Sequence, residues 1–315
     1  MSARSRSPLL ERAIRALLSL GALAGAPLLA GPALACEVGL ARAPGAVIVQ
    51  YDPFDLRQAP GDISFAVANR GDEECRFAVA LVDEGRMPKA SVLLSDAPVE
   101  VEFRPAAGGG VLAPGAEPGL WTGAVPAGAE TEFRMTAVVV RDGIPLAGRH
   151  EQRLFLELRD PNAGAGAPTG AGAPFAVAVE APPRAQLNVA GATGRFGEGP
   201  TVGSVDLGVL GVGVARRVFL QMRSNVALSR LTIRSQNAGV LRPEAADAPS
   251  DAPGVPYRLV LADAPVDLTD VHEHQVAAPR TLAGASLPMD ITVEDAAGRM
   301  AGGYSDVLTI ELSPL

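Results

Sequence analysis

In 315 residues the sequence has one lysine, Lys89, one tryptophan, Trp121, two cysteines and three histidines. The near absence of lysine excludes Walker-type phosphate binding, which needs a lysine in its loop. The glycine-rich run from Gly191 to Gly203 is followed by neither a lysine nor a helical pattern. Two of the histidines, His272 and His274, flank Glu273, but no third ligand is identifiable, and alternation along a strand or a solvated loop accounts for the spacing. Ser224-Asn225 lacks a nucleophile elbow, and Asp52 and Asp55 bracket Pro53 as turn formers do. No catalytic residue, metal site or cofactor is therefore expected, and the chain is read as a non-enzyme. The formal charge of −8 argues against nucleic acid as a partner, because phosphate binding needs clustered positive charge.

The positive charge that is present gathers at the start. Arg4, Arg6, Arg12 and Arg15 precede an apolar stretch from Ala16 to Leu29 that ends in Ala33-Leu34-Ala35, the layout of an export signal over residues 1–35 with cleavage before Cys36. A lipoprotein signal also places cysteine first but usually has Leu three residues before the cut, where this chain has Ala33; lipidation of Cys36 stays open. Gly21, Gly25, Pro27, Gly31 and Pro32 make the stretch a poor membrane-spanning helix. In an oxidising compartment the two cysteines, Cys36 and Cys75, are expected to form a disulfide.

Past the leader, apolar residues recur with period two, as in Val47, Val49 and Tyr51, or Ile63, Phe65 and Val67, or Leu154, Leu156 and Leu158. The second half repeats the habit in Val218, Leu220 and Met222, in Tyr257, Leu259 and Leu261, and in Leu308, Ile310 and Leu312. Many short strands separated by Gly and Pro predict an all-β chain of two immunoglobulin-like sandwich domains in tandem. The expected domains are residues 36–160 and 175–315, joined by a Gly/Ala/Pro linker at 161–174 that has nothing large to bury. Shifting residues 135–158 by 154 positions pairs Met135 with Met289, Val139 with Val293 and Leu154 with Leu308, seven identities in twenty-four positions, which points to duplication. Phe175-Ala176-Val177-Ala178-Val179 alternates just ahead of the second domain. The linker, at roughly 3.3 Å per residue, is long enough to deliver this run to the edge beside Leu154–Leu158, so closure of the first domain in cis is a second placement for it.

The last alternating strand, Tyr304 to Leu312, ends three residues before Leu315. A sandwich of this type normally has a further strand at that edge, so the C-terminal domain is expected to lack its last strand and to invite one from another chain. Met289, Ile291, Val293, Tyr304, Leu308, Ile310 and Leu312 are the expected groove residues.

Gly302-Gly303-Tyr304-Ser305-Asp306-Val307-Leu308-Thr309-Ile310 resembles the closing Gly-x-Tyr-x-Asp and alternating strand of the spore coat protein U domain family, which includes the pilins of archaic chaperone-usher pili. Gly203-Ser204-Val205-Asp206-Leu207-Gly208, Ser224-Asn225 and Val255-Pro256-Tyr257 resemble its other landmarks, across residues 175–315. In the first half, Cys36, Tyr51-Asp52-Pro53 and Cys75 resemble the family's opening, while residues 86–130 match no part of it. The second half departs from the family in having no cysteine.

The resemblance implies export through the periplasm, a periplasmic pilus chaperone, an outer-membrane usher and an adjacent pilin subunit as partners, and completion by a donor strand. A chain beginning at Cys36 has no donor segment ahead of its first cysteine, so the expected role is a pilus tip adhesin at the cell surface, attaching cells to surfaces as in a biofilm. The alternative is a secreted coat protein without a pilus. The adhesive surface is expected in the unmatched insertion, at Val92, Leu93, Leu94, Val111, Leu112, Leu120 and Trp121, apolar residues in turn-rich surroundings; the other reading of these residues is that they cap the domain's own core, and the receptor is not named by the sequence.

Because both cysteines fall in the first domain, reduction should destabilise that domain alone, by about 4 kcal/mol for a loop of this length. Titration of the denatured, unreduced chain should find no free thiol; two free thiols would overturn the pairing.

Overall fold

The computed structural model describes residues 36–55, 58–94, 97–140, 143–162, 168–190, 196, 202–245, 249 and 252–315. The leader expected at 1–35 lies outside them, as does nearly all of the glycine-rich run from Gly191 to Gly203. Among the described residues the chain is all β, in two immunoglobulin-like units, and no helix is long and apolar enough to cross a membrane.

The first unit contains β1 (Val38–Arg42), β2 (Val47–Gln50), β3 (Gly61–Asn69), β4 (Cys75–Val82), β5 (Ser91–Leu93), β6 (Glu100–Pro105), β7 (Ala113–Pro114), β8 (Leu120–Val125), β9 (Glu130–Val139), β10 (Gly148–Arg159) and β11 (Pro168–Ala181). One sheet runs β1-β3-β9-β6-β5 and faces a second of order β2-β11-β10-β4-β8-β7. Period-two alternation turns one row of each strand inward. Phe65, Phe77 and Phe133 meet at the centre, with Phe77 edge-on to Phe133 at 5.1 Å between ring centroids. The Cys36–Cys75 disulfide ties the start of the unit to β4.

The second unit contains β12 (Ala185–Val189), β13 (Ala215–Ser224), β14 (Ser229–Ser235), β15 (Val240–Pro243), β16 (Val255–Leu261), β17 (Ala264–Val266), β18 (His272–Val276), β19 (Ala285–Val293), β20 (Tyr304–Ser305) and β21 (Leu308–Pro314). Its large sheet runs β12-β13-β19-β16-β15-β20, with β17 beside β16, and it faces a sheet of only three strands, β18-β14-β21.

Several positions of the two units coincide at the 154-residue offset: Gly61 and Ala215 open β3 and β13, and Cys75 and Ser229 open β4 and β14. His150 Nε2 lies 2.8 Å from the Leu146 carbonyl oxygen, and Tyr304, which stands 154 residues later, donates its hydroxyl to the Met300 carbonyl at 3.0 Å.

The stretch expected as a linker at 161–174 is strand from Pro168 onward. β11 pairs antiparallel with β10 along its length and parallel with β2, through Val177 opposite Val47 and Val179 opposite Val49. Phe175, Val177 and Val179 are buried in the first core with Leu154, Leu156 and Leu158. The first unit thus takes residues 168–181, including a segment expected in the second domain, and closes itself in cis. Composition suggested a linker because Ala, Gly and Pro bury little by themselves; the ladder to β10 supplies the hydrogen bonds that hold them in a strand, and β2 joins only from Val177 onward.

Replacing both Val177 and Val179 with Ala should destabilise the first unit by about 2 kcal/mol per site, from lost transfer energy and residual cavity. Thermal unfolding should show the first unit's transition lowered and the second unit's unchanged. Equal shifts of both transitions, or none, would contradict the cis closure.

Candidate functional site: the free edge of the second unit

β10 and β21 are corresponding strands of the two units, and their burial differs. In β10, Leu154, Leu156 and Leu158 are fully buried, between β4 on one side and β11 on the other. In β21, Leu308, Ile310 and Leu312 alternate inward in the same way but stay half-buried. β14 covers one edge of β21, from Ser229 opposite Pro314 to Ser235 opposite Leu308; among the described residues the other edge carries no strand ladder. Where β11 stands between β2 and β10 in the first unit, no described strand pairs with the corresponding edge of β21 in the second, and β12 lies near it. Unpaired backbone groups beside a half-wet apolar row are the features that an added strand satisfies.

Tyr304 is half-buried on β20, which pairs with β15 in the large sheet; of the seven expected groove residues, Leu308, Ile310 and Leu312 lie at this edge and are half-buried. Met289, Ile291 and Val293 do not: they are buried on β19, a central strand of the facing sheet between β13 and β16, and form the floor of the core.

The landmark residues hold the edge in place. Asp306 accepts from the Tyr257 hydroxyl on β16 and from Ser235 Oγ at the end of β14, each at 2.6 Å, and from the Asn237 backbone N–H at 3.0 Å. Ser235 Oγ accepts in turn from the Gly239 N–H at 2.8 Å. One carboxylate thereby joins both sheets just before β21 begins. Burial, reinforced by the hydrogen bond to Asp306, raises the Tyr257 phenol well above its ordinary value.

Ser224 and Asn225 are buried clamps at the opposite end. Asn225 donates through Nδ2 to the Pro182 carbonyl (2.9 Å) and accepts at Oδ1 from the Arg184 N–H (2.7 Å), while Ser224 Oγ donates to the Arg184 carbonyl (2.9 Å). Arg184 reaches Asp52 of the first unit at 2.6 Å, and the Arg223 guanidinium lies over the Phe54 ring at 4.7 Å. Asp52 is thus a turn and junction residue, and its Oδ1 caps the Phe54 N–H at 3.0 Å. His272, Glu273 and His274 lie on β18, and among the described residues no three His, Cys, Asp or Glu side chains gather as metal ligands. A depression of about 230 Å³ beside Tyr304, walled by Pro243, Ala245, Pro249 and residues 300–303, holds one ionisable group, Tyr304, whose hydroxyl is occupied by Met300.

The expected adhesive residues are corrected by the structure. Val92, Leu94, Leu112, Leu120 and Trp121 are buried; of the seven only Leu93 (58% exposed) and Val111 (82%) face solvent. The insertion is strand and tightly held loop: Trp121 sits on β8 opposite Val79 and joins the core, and Leu120 packs on the outer face of that sheet with Ala80 and Val82. Gly110 donates its N–H to the Glu132 carbonyl at 2.7 Å, and a Cβ there would fall 2.3 Å from the Phe133 ring. That close approach to β9 turns Leu112 inward and leaves Val111 outside.

No protein-family model matches the chain, and no curated protein matches it. Among solved structures it is similar to the chaperone–tip adhesion subunit pre-assembly complex CsuC–CsuE from archaic chaperone-usher Csu pili of Acinetobacter baumannii, at 9% identity and TM-score 0.41, covering 88% of this chain and 100% of that one. It is also similar to CfaE, the adhesive subunit of CFA/I fimbria of enterotoxigenic Escherichia coli, at 12% identity and TM-score 0.36, covering 90% and 79%. A secreted serine protease, VesC from Vibrio cholerae, is similar at 9% identity and TM-score 0.22, covering 88% and 51%. Likenesses this distant do not bear on function.

The Tyr257 shift has a consequence for pH. Its folded pKa lies above the unfolded value of about 10, so its contribution is complete below pH 10 and is lost as pH rises beyond it. Tyr257→Phe should flatten the alkaline fall in stability of the second unit, read from denaturant midpoints between pH 8 and 11. A parallel fall in the variant would place the alkaline sensitivity elsewhere.

Proposed function

We propose that this protein is a tip subunit of a chaperone-usher pilus, an adhesin that accepts a donor strand from the next subunit at the free edge of its second unit. The observation that carries the reading is the contrast between the corresponding strands: β10, covered by β11, is buried, and β21, with one edge free, is half-wet. The Gly302-to-Ile310 resemblance names the kind of strand such an edge takes in pilins. A terminal position is supported by the fate of the alternating segment ahead of the second unit. That segment is consumed by the first unit, where Val177 and Val179 are fully buried, so it is not free for another subunit. A self-closed first unit leaves only the second to receive a strand. Before assembly the same edge would be held by a periplasmic chaperone and handed over at an outer-membrane usher.

Burying Leu308, Ile310 and Leu312 completely should recover on the order of 3 kcal/mol in total, since each is already partly covered. A short linker and a copy of residues 172–181 fused after Leu315 should therefore raise the melting temperature of the second unit by about 10 °C and suppress self-association. Ile310→Asp should abolish the gain. An unfused chain that is monomeric, with a second unit as stable as the fusion, would overturn strand acceptance. In cells that also carry a chaperone, usher and shaft pilin, labelled chain should appear at fibre ends; label along the shaft would overturn the terminal role.

A further inference from the structure

The outer face of the sheet that holds β10 carries a charged cluster that strand pairing leaves unexplained. Period two turns Arg153, Phe155, Glu157 and Arg159 outward on β10, while Leu154, Leu156 and Leu158 turn inward. Glu157 and Arg159 are nonetheless buried, with side chains 2% and 4% exposed, where Arg86 of the loop from β4 to β5 lies against both. Glu157 Oε1 accepts from Arg86 Nη1, and its Oε2 accepts from Arg159 Nη2 at 2.9 Å. The same Nη2 donates to the Arg86 carbonyl at 2.9 Å. Arg86 is thus held at its side chain and at its backbone, and it is held in the left-handed region, at φ 59°, where a Cβ is disfavoured. A turn that only had to reverse the chain would place glycine or asparagine there. Strain retained at an arginine implies a use for its guanidinium.

That guanidinium lies 4.9 Å from the centre of the Phe155 ring, and the Arg153 guanidinium lies 5.7 Å from it. Among the described residues Arg86 has Glu157 as its carboxylate partner and Arg153 has none. Three guanidiniums therefore share one carboxylate, which leaves positive charge unanswered at this spot in a chain of formal charge −8. Nearby Lys89 is answered by Asp83 at 3.0 Å. Across the ladder, β11 sets Gly172, Pro174 and Ala176 opposite Glu157, Phe155 and Arg153, so no large side chain stands over the cluster from that strand. Met87, next to Arg86 in the loop, is 63% exposed.

We propose that Arg86 and Arg153 form a binding site for an acidic polysaccharide, each guanidinium meeting one uronate carboxylate while Phe155 and Met87 supply apolar contact to the sugar rings. An open sheet face suits an extended chain, whereas a compact anion such as phosphate calls for a cradle of converging donors. Two free cationic groups are too few to hold a membrane surface or a nucleic acid against the net charge. The buried Glu157–Arg159 pair fixes Arg86 before the ligand arrives, which lowers the ordering cost of binding. The site lies on the closed first unit and does not depend on strand acceptance by the second. It gives that unit a contact surface although most apolar residues of its insertion are buried.

Chain 36–315 is titrated against polygalacturonate, its methyl ester and vesicles containing phosphatidylglycerol, by biolayer interferometry at about 0.15 M salt. Polygalacturonate should bind and the ester should not, because esterification removes the carboxylate charge. Arg153→Gln, which leaves the Glu157 pairings in place, should weaken binding about tenfold with an unchanged melting temperature. Arg86→Lys, which keeps a cation beside Glu157 but loses the planar fork, should weaken it about threefold. Arg258→Gln removes an exposed charge from the second unit and should leave affinity within about twofold of the parent. Absence of polygalacturonate binding, equal binding of the ester, or binding of the vesicles in its place would overturn the assignment. So would unchanged affinity in Arg153→Gln or Arg86→Lys, or equal losses in Arg153→Gln and Arg258→Gln.

Discussion

The ladder between β10 and β11 is the constraint from which the rest of the molecule follows. A strand that buries one face beside a core presents a row of N–H and C=O groups along each edge, and those groups need partners as much as the side chains need cover. β11 meets both needs for β10, and β2 meets them for β11. The whole apolar row from Leu154 to Leu158 is dry as a result. The second unit has the same strand and the same alternation, and among the described residues the same requirement is left open on one side of β21. The proposed strand acceptance and terminal position both start from this one difference between the two units.

The polar residues that the sequence singled out serve this architecture. Each unit buries an asparagine at or just beyond the end of its first long strand, and each uses the amide to hold a main-chain carbonyl: Asn69 donates to Glu73 at 2.7 Å and Asn225 to Pro182 at 2.9 Å. In the second unit that asparagine also grips the Arg184 backbone, so the short connection from β11 to β12 is fastened where the chain passes between units. Asp306 does comparable work at the other end, joining β14 and β16 immediately ahead of β21. A carboxylate that accepts four hydrogen bonds in a partly buried place is a fixed point, and β21 begins two residues after it.

The insertion in the first unit shows how a hydrophobic run can mislead. Leu120 and Trp121 sit between glycines and prolines, and in one dimension that resembles an exposed loop. In the fold they open β8, whose two faces are both covered: one by the core, where Trp121 lies, the other by the cluster of Ala80, Val82 and Phe155, where Leu120 lies. Leu112 follows Gly110, whose lack of a side chain is what lets the loop descend onto Phe133. Large apolar groups among turn residues were here a means of closing one end of the sandwich.

By itself the sequence determined the all-β class, the division into two related units, the disulfide pair and the alternating row of the last strand. Each of these depends on local period or on counting, and period two survives whatever the strand pairs with. Only the tertiary structure decided which strand pairs with which. It moved residues 168–181 into the first unit, because the edge of β10 offers that small-residue segment a ladder that its composition does not announce. It sent Met289, Ile291 and Val293 to the core floor and left Leu308, Ile310 and Leu312 at the rim, although all six alternate alike. Alternation states that one face of a strand seeks cover; whether that cover is present depends on neighbours distant in the chain, and no local pattern encodes them.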